Sequence, residues 1–237
     1  MDLETIRSQG TKWHPIAGLD GIWQAVAIVE GAPLRSVALR LADGRLAVYS
    51  PIRGLGAHRE LAAIGDPAIL IAPNHYHNLG LKEYAAAYPG VTVVASAVAA
   101  PRLRRRCGLE VSDETGLRSA LPSHISALVP PGTKNGELWL SAEASGGPAW
   151  IVGDAFFNLA RTPRSFIGLL LRILGISPGL RIGSSFRWLL KDRAAYRQWL
   201  ADALGDQRPT MLIPCHGDIL AEPALTERLV RLVEEGL

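Results

Sequence analysis

The sequence predicts an α/β fold: two β-sheets stacked face to face with helices outside, in a single domain over residues 1–237. Three observations carry this. Candidate elements follow one another as β-rich, α, β-rich, α. Several candidate strands are unbroken apolar runs, the pattern of strands covered on both faces. Hydrophobic residues make up 48% of the 237 and charged residues 20%, enough to bury a large core and inconsistent with intrinsic disorder.

Residues 1–20 read as a lead-in. GIWQAVAIVE (21–30) is β-like, and SVALRLADGRLAVYS (36–50) alternates apolar and polar around Asp43-Gly44, a hairpin signal. HRELAAIG (58–65) reads as a short helix stopped by glycine, and PAILIAPN (67–74) as a buried strand. A helix is expected over 79–90, with Asn78 as its N-cap, then a strand at VTVVAS (91–96). AVAAPRLRRRCG reads as helical. HISALVP (124–130) and GELWLSAEA (136–144) alternate, and PAWIVGD (148–154) is a strand expected to end at Gly-Asp. Residues 155–186 read as a long insertion whose apolar stretch SFIGLLLRILGI suits packing and contact with a second copy of the chain. One amphipathic helix is expected over 187–204, with Trp188, Leu189, Tyr196, Trp199 and Leu200 on a shared stripe. PTMLIPCHGD (209–218) is a strand, and EPALTERLVRLVEEGL (222–237) a closing helix.

Lys plus Arg is 25 and Asp plus Glu is 22, a net +3. The densest basic run, Arg102, Arg104, Arg105 and Arg106, is too small for a nucleic-acid footprint and reads as a solvated helix face. Two cysteines, Cys107 and Cys215, do not make a disulfide scaffold. The polar N-terminus has no signal-peptide core, and the apolar stretch Phe166 to Ile176, interrupted by Arg172, is too short to span a bilayer. These features predict a cytoplasmic protein with no membrane and no nucleic-acid partner.

Three strand ends carry metal-type side chains: His75-Tyr76-His77 after PAILIAPN, Asp154 after PAWIVG, and His216 after MLIPC. Ligand sites collect where strands run out into loops. His75 and His77 are two residues apart, so an extended segment would point both imidazoles to one side as half of a chelate for zinc or ferrous iron. Asp154 and His216 would complete four ligands. Asn74 and Tyr76 flank the histidines, where contact with a ligand and turn chemistry are equally open readings. The Cys215 thiol is expected in the core, Asp218 as the acceptor for the other nitrogen of His216, and Lys134 as a solvated loop lysine.

H-x-H after one strand, Gly-Asp after a second and His-Gly after a third, over about residues 20–220, resemble the metallo-β-lactamase superfamily. The closest resemblance is to a divergent branch, carried by ADGRLAVYSPIRG and ELAAIGDPAILIAPNHYHNLGLKEYAAAYPG. It implies a four-layer αββα sandwich of two mixed sheets with a metal site at one edge. Active members carry H-x-H-x-D-H, where this chain has Leu79 and Gly80 at the last two positions. They carry a Gly-His-Thr turn, where this chain has Thr133 in the histidine position. The resemblance therefore implies one zinc or iron ion on His75, His77, Asp154 and His216. The reaction it implies is hydrolysis of a small ester, amide, thioester or phosphoester by metal-activated water, with Asp154 as the catalytic group. The alternative is a degenerate member without metal or reaction, whose cleft binds a small ligand or a protein.

Overall fold

The computed structural model describes residues 12–29, 32–53, 57–159 and 178–237. The apolar stretch 165–176, and with it the expected contact with a second copy, lies outside the described residues.

Two mixed sheets form the centre. The first holds β1 (His14–Pro15), β2 (Ile22–Val29), β3 (Ala32–Arg40), β4 (Leu46–Tyr49), β5 (Pro67–Ile71), β6 (Thr92–Val94) and β7 (Val111–Ser112), in that spatial order. β1 to β4 pair antiparallel, and β4 to β7 pair parallel. The second comprises β8 (Ile125–Leu128), β9 (Trp139–Ala142), β10 (Ala149–Leu159), β11 (Gly179–Ile182), β12 (Met211–Gly217) and β13 (Leu220–Ala221). Its order is β13-β12-β10-β9-β8, with β11 against the far end of β10, and only β10 and β12 run parallel.

Side chains alternate across each strand, and the three apolar layers follow from that alternation. Val37, Leu39, Ala47, Tyr49, Ile71, Leu140, Ile151 and Ile213 fill the space between the sheets. Their neighbours Ala38, Leu46, Val48 and Leu70 face outward from the first sheet. There they meet α2 (Leu81–Ala87) and α3 (Ala100–Cys107), which follow the short α1 (Ala57–Glu60). Trp139, Trp150, Val152 and Leu212 face outward from the second sheet, onto α6 (Arg193–Gln207) and α7 (Leu225–Gly236). Two more helices complete the described set, α4 (Thr115–Ala120) and α5 (Ser184–Leu189). The layers are therefore αββα, and the unbroken apolar runs are strands covered on both faces. Hydrogen bonds also link the two halves of the sandwich: the Tyr49 hydroxyl donates to Leu138 O at 2.9 Å, and the buried Arg35 guanidinium donates to Pro214 O.

Three expectations change. The helix foreseen over 187–204 is two helices, because loop 132–134 captures the chain between them. Lys191 N and Asp192 N both donate to Gly132 O, and Asp192 Oδ1 then caps α6 by accepting from Ala195 N at 2.9 Å. Trp188 consequently leaves the stripe and stands 79% exposed. Asn78 is not the N-cap of α2, a position held by Gly80; its amide donates instead to His75 O and Tyr76 O. The ends of the 155–186 insertion are strand, with Phe156 paired to Ile182. No helix of the described residues is long and apolar enough to cross a membrane.

Leu140 is fully buried between the sheets. Leu140→Ala is expected to lower the unfolding free energy by about 3 kcal/mol in urea titration. Trp188→Ala should change it by less than about 0.5 kcal/mol.

Candidate metal centre

The C-terminal ends of β4, β5 and β12 and the middle of β10 meet at one edge of the sandwich. The decisive local feature is in β10. The strand does not end at Gly153-Asp154 but runs on to Leu159, and its pairing with β12 jumps from Val152↔Pro214 to Phe157↔His216. Residues 153–156 thus bulge opposite Cys215 alone, and the bulge turns Asp154 into the edge cleft. Gly153 is required there: a Cβ would lie 2.8 Å from a Glu137 carboxylate oxygen.

Asp154 meets two imidazoles. Its Oδ1 lies 2.9 Å from His77 Nε2 and 3.2 Å from His216 Nε2. One ligand atom from each of His77, Asp154 and His216 falls within 4.8 Å of the others. Each imidazole is held at its far nitrogen. His77 Nδ1 is 2.9 Å from Ser50 Oγ, and His216 Nδ1 is 3.3 Å from Pro33 O. Ser50 holds a left-handed backbone conformation (φ 56°), rare for a residue with a side chain. The His216 ring also stacks on Phe157 at 5.3 Å. The expected Asp218 partner is thus replaced by the Pro33 carbonyl.

Behind Asp154 sits a buried network. Asn74 Nδ2 donates to Asp154 Oδ2 at 2.9 Å and to Glu137 Oε1 at 2.7 Å, while its Oδ1 accepts from Tyr76 N at 2.8 Å. Glu137 is fully buried and accepts further from Asn135 Nδ2, Trp139 Nε1 and Asp154 N. A single asparagine therefore fixes both the histidine turn and the acidic residue. Sequence reading assigned no role to Ser50 or Glu137. Their only signals are a serine before Pro51 at a strand end and a lone acid ahead of an apolar strand.

His75 is the correction. The chain turns at His75-Tyr76 instead of continuing extended, so the two-residue rule does not apply and the ring is not part of the cluster. It is buried, and its pKa is lowered to about 4 by burial, then by Arg102 and Arg106. Cys215 is a buried free thiol between the sheets, as expected. The Thr133 hydroxyl accepts from Glu137 N at 3.2 Å, and the Lys134 ammonium donates to Trp188 O at 2.9 Å. Leu79 is 45% exposed, and a Cβ on Gly80 would lie 2.2 Å from Pro51 O, so no side chain fits at that position.

The donor set suits a small divalent cation. Donors on a tetrahedral ion at 2.0–2.1 Å stand roughly 3.4 Å apart, close to the separations here. A carbonyl can only accept, so His216 Nδ1 carries a hydrogen toward Pro33 O, and its Nε2 faces the Asp154 carboxylate. Next to them opens a cleft of about 300 Å³ lined by Tyr76, Asp154, Phe157, Phe186 and Leu189.

No protein-family model and no curated protein sequence matches the chain. Solved structures do. A metallo-β-lactamase from Pontibacter korlensis is 9% identical, with TM-score 0.60 over 94% of this chain and 99% of that one. FIM-1 from Pseudomonas aeruginosa, a metallo-β-lactamase in its mono-zinc form, is 12% identical, with TM-score 0.59 over 95% and 96%. A diflavin flavoprotein fragment from Nostoc sp. PCC 7120 is 14% identical, with TM-score 0.63 over 94% and 95%. The chain has the metallo-β-lactamase fold. Within that fold, the His77–Asp154–His216 cluster joins the turn after β5, the bulge within β10 and the end of β12.

Burial acts to raise Asp154, but the His77 and His216 interactions hold it well below the usual carboxylate range. Burial acts to lower His77, but the Asp154 charge and hydrogen bond raise it. Glu137 is pushed up to about 7, by burial first and the Asp154 charge second. A group whose folded pKa is raised contributes stability below its unfolded value and loses it as pH climbs through the folded one. His77 and Glu137 both act in this sense, while the Asp154 window lies in acid. Chelator-treated protein is therefore expected to unfold at lower urea at pH 8 than at pH 6, with a smaller difference in Glu137→Gln. A midpoint that rises over that interval contradicts the assignment.

Proposed function

We propose that the chain is a metal-dependent hydrolase holding one zinc or iron ion on His77, Asp154 and His216. Its substrates are small esters, amides, thioesters or phosphoesters. The observation that carries this is the convergence of two imidazole nitrogens on one half-buried carboxylate oxygen beside an open cleft. A three-residue set with a free position is the pattern of catalytic zinc. Such an ion supplies Lewis acidity: it lowers the pKa of water toward ~7 and polarises a carbonyl or phosphoryl oxygen.

The chain's own residues supply the rest. Asp154 contributes the anion that offsets the cation, and Asn74 stops it from swinging away. Ser50 and the Pro33 carbonyl fix the two rings. Phe157, Phe186 and Leu189 shield the cleft from water and seat an apolar group. The closed position at Gly80 and exposed Leu79 support a single ion. A cytoplasmic location belongs to the same proposal, in keeping with two cysteines that are free thiols.

The second reading is a binding module. It is favoured by Thr133, whose hydroxyl serves the loop where the resemblance implies a ligand. Elemental analysis separates the two. The hydrolase reading expects about one ion per chain, lost in His77→Ala, Asp154→Ala and His216→Ala but kept in His75→Ala. Protein free of metal after growth in supplemented medium favours the binding module. Asn74→Ala should weaken the metal about 10- to 100-fold in chelator competition, the usual effect of losing a group that orients a ligand.

A further inference from the structure

The cleft has an apolar side, and an arginine stands over one of its lining rings. Phe157, Phe186 and Leu189 line it together with Tyr76, which is 44% exposed. Over the Tyr76 ring stands the Arg102 guanidinium, its carbon 5.6 Å from the ring centroid. Among the described residues no carboxylate pairs with Arg102. Its neighbour Arg104 is occupied by Val111 O. A guanidinium laid on an aromatic face is oriented by that face, while its N–H edge stays open to a planar oxyanion. The one carboxylate among the lining residues, Asp154, already faces two imidazoles.

We propose that the substrate is an amphipathic carboxylate: an ester or thioester whose apolar part rests on Phe157, Phe186 and Leu189 and whose free carboxylate is read by Arg102 beside Tyr76. This rests on the hydrolytic reading of the same site, which it deepens. Arg102 is a specificity residue, not a catalytic one.

The test is calorimetric binding of 3-phenylpropanoate and 3-phenylpropanol to metal-loaded protein. The acid should bind about tenfold more tightly than the alcohol, the scale of a charge-assisted hydrogen bond. Arg102→Ala should abolish that preference and leave alcohol binding unchanged. Arg102→Lys, which keeps the charge but not the fork, should retain part of it. Arg231→Ala, on the distant α7, should match the wild type. Equal affinity for acid in wild type and Arg102→Ala overturns the proposal. Tighter binding of phenyl phosphate, also lost in Arg102→Ala, overturns the carboxylate assignment. Hydrolysis is read in parallel on 4-nitrophenyl butyrate and mono(4-nitrophenyl) succinate. Preference for the succinate through KM, erased in Arg102→Ala, supports the proposal. Equal turnover of both esters by both proteins overturns it while the hydrolase stands. Absence of turnover with the binding pattern intact instead sinks the hydrolase and retains the carboxylate site.

Discussion

A carboxylate removed from water needs cations or donors around it, and much of this protein's edge is arranged to provide them for Asp154. Two imidazoles face Oδ1 and one amide holds Oδ2. The amide is itself pinned by a second buried acid, Glu137, whose oxygens are covered by Asn135, Trp139 and the Asp154 backbone. The chain thus places a buried acid, Glu137, next to a half-buried one, Asp154, which is unfavourable unless positive charge is brought in. His77, whose pKa is raised beside Asp154, brings some of it, and a divalent cation on the cluster would bring more.

The sandwich supplies the positions. Strands covered on both faces cannot shift register without moving apolar side chains into the wrong layer. Their ends are therefore fixed points for the turn 72–80 and for His216. The bulge at 153–156, a break in the regular pairing of β10 with β12, is where Asp154 projects. Gly153 permits it by letting Glu137 approach the backbone, and Ser50 adopts its strained conformation beside His77. Irregular backbone at this edge coincides with the polar cluster, while the layers below it follow simple alternation.

Much of this was legible in the sequence because the layers repeat with period two. The apolar runs at 67–71, 149–152 and 211–215 announced covered strands, and the polar groups just beyond them marked the edge. The resemblance added the sandwich itself, and His77, Asp154 and His216 do come together. What failed was local. Spacing alone cannot tell an extended H-x-H from one that turns, so His75 was placed in the cluster although Asn78 ties the turn that removes it. Nor does sequence show that loop 132–134 will capture 190–192 and split one helix into two. Glu137 and Ser50 act through partners far away in the chain, at Asn74 and His77, and no local pattern reports such pairings.

The central claim is that two imidazoles and one carboxylate share a single ion. X-ray absorption at the edge of the bound metal tests it most directly. The account predicts about four nitrogen or oxygen neighbours at roughly 2.0–2.1 Å, with scattering from two imidazole rings. A sulfur neighbour at about 2.3 Å, or a third imidazole, would contradict it.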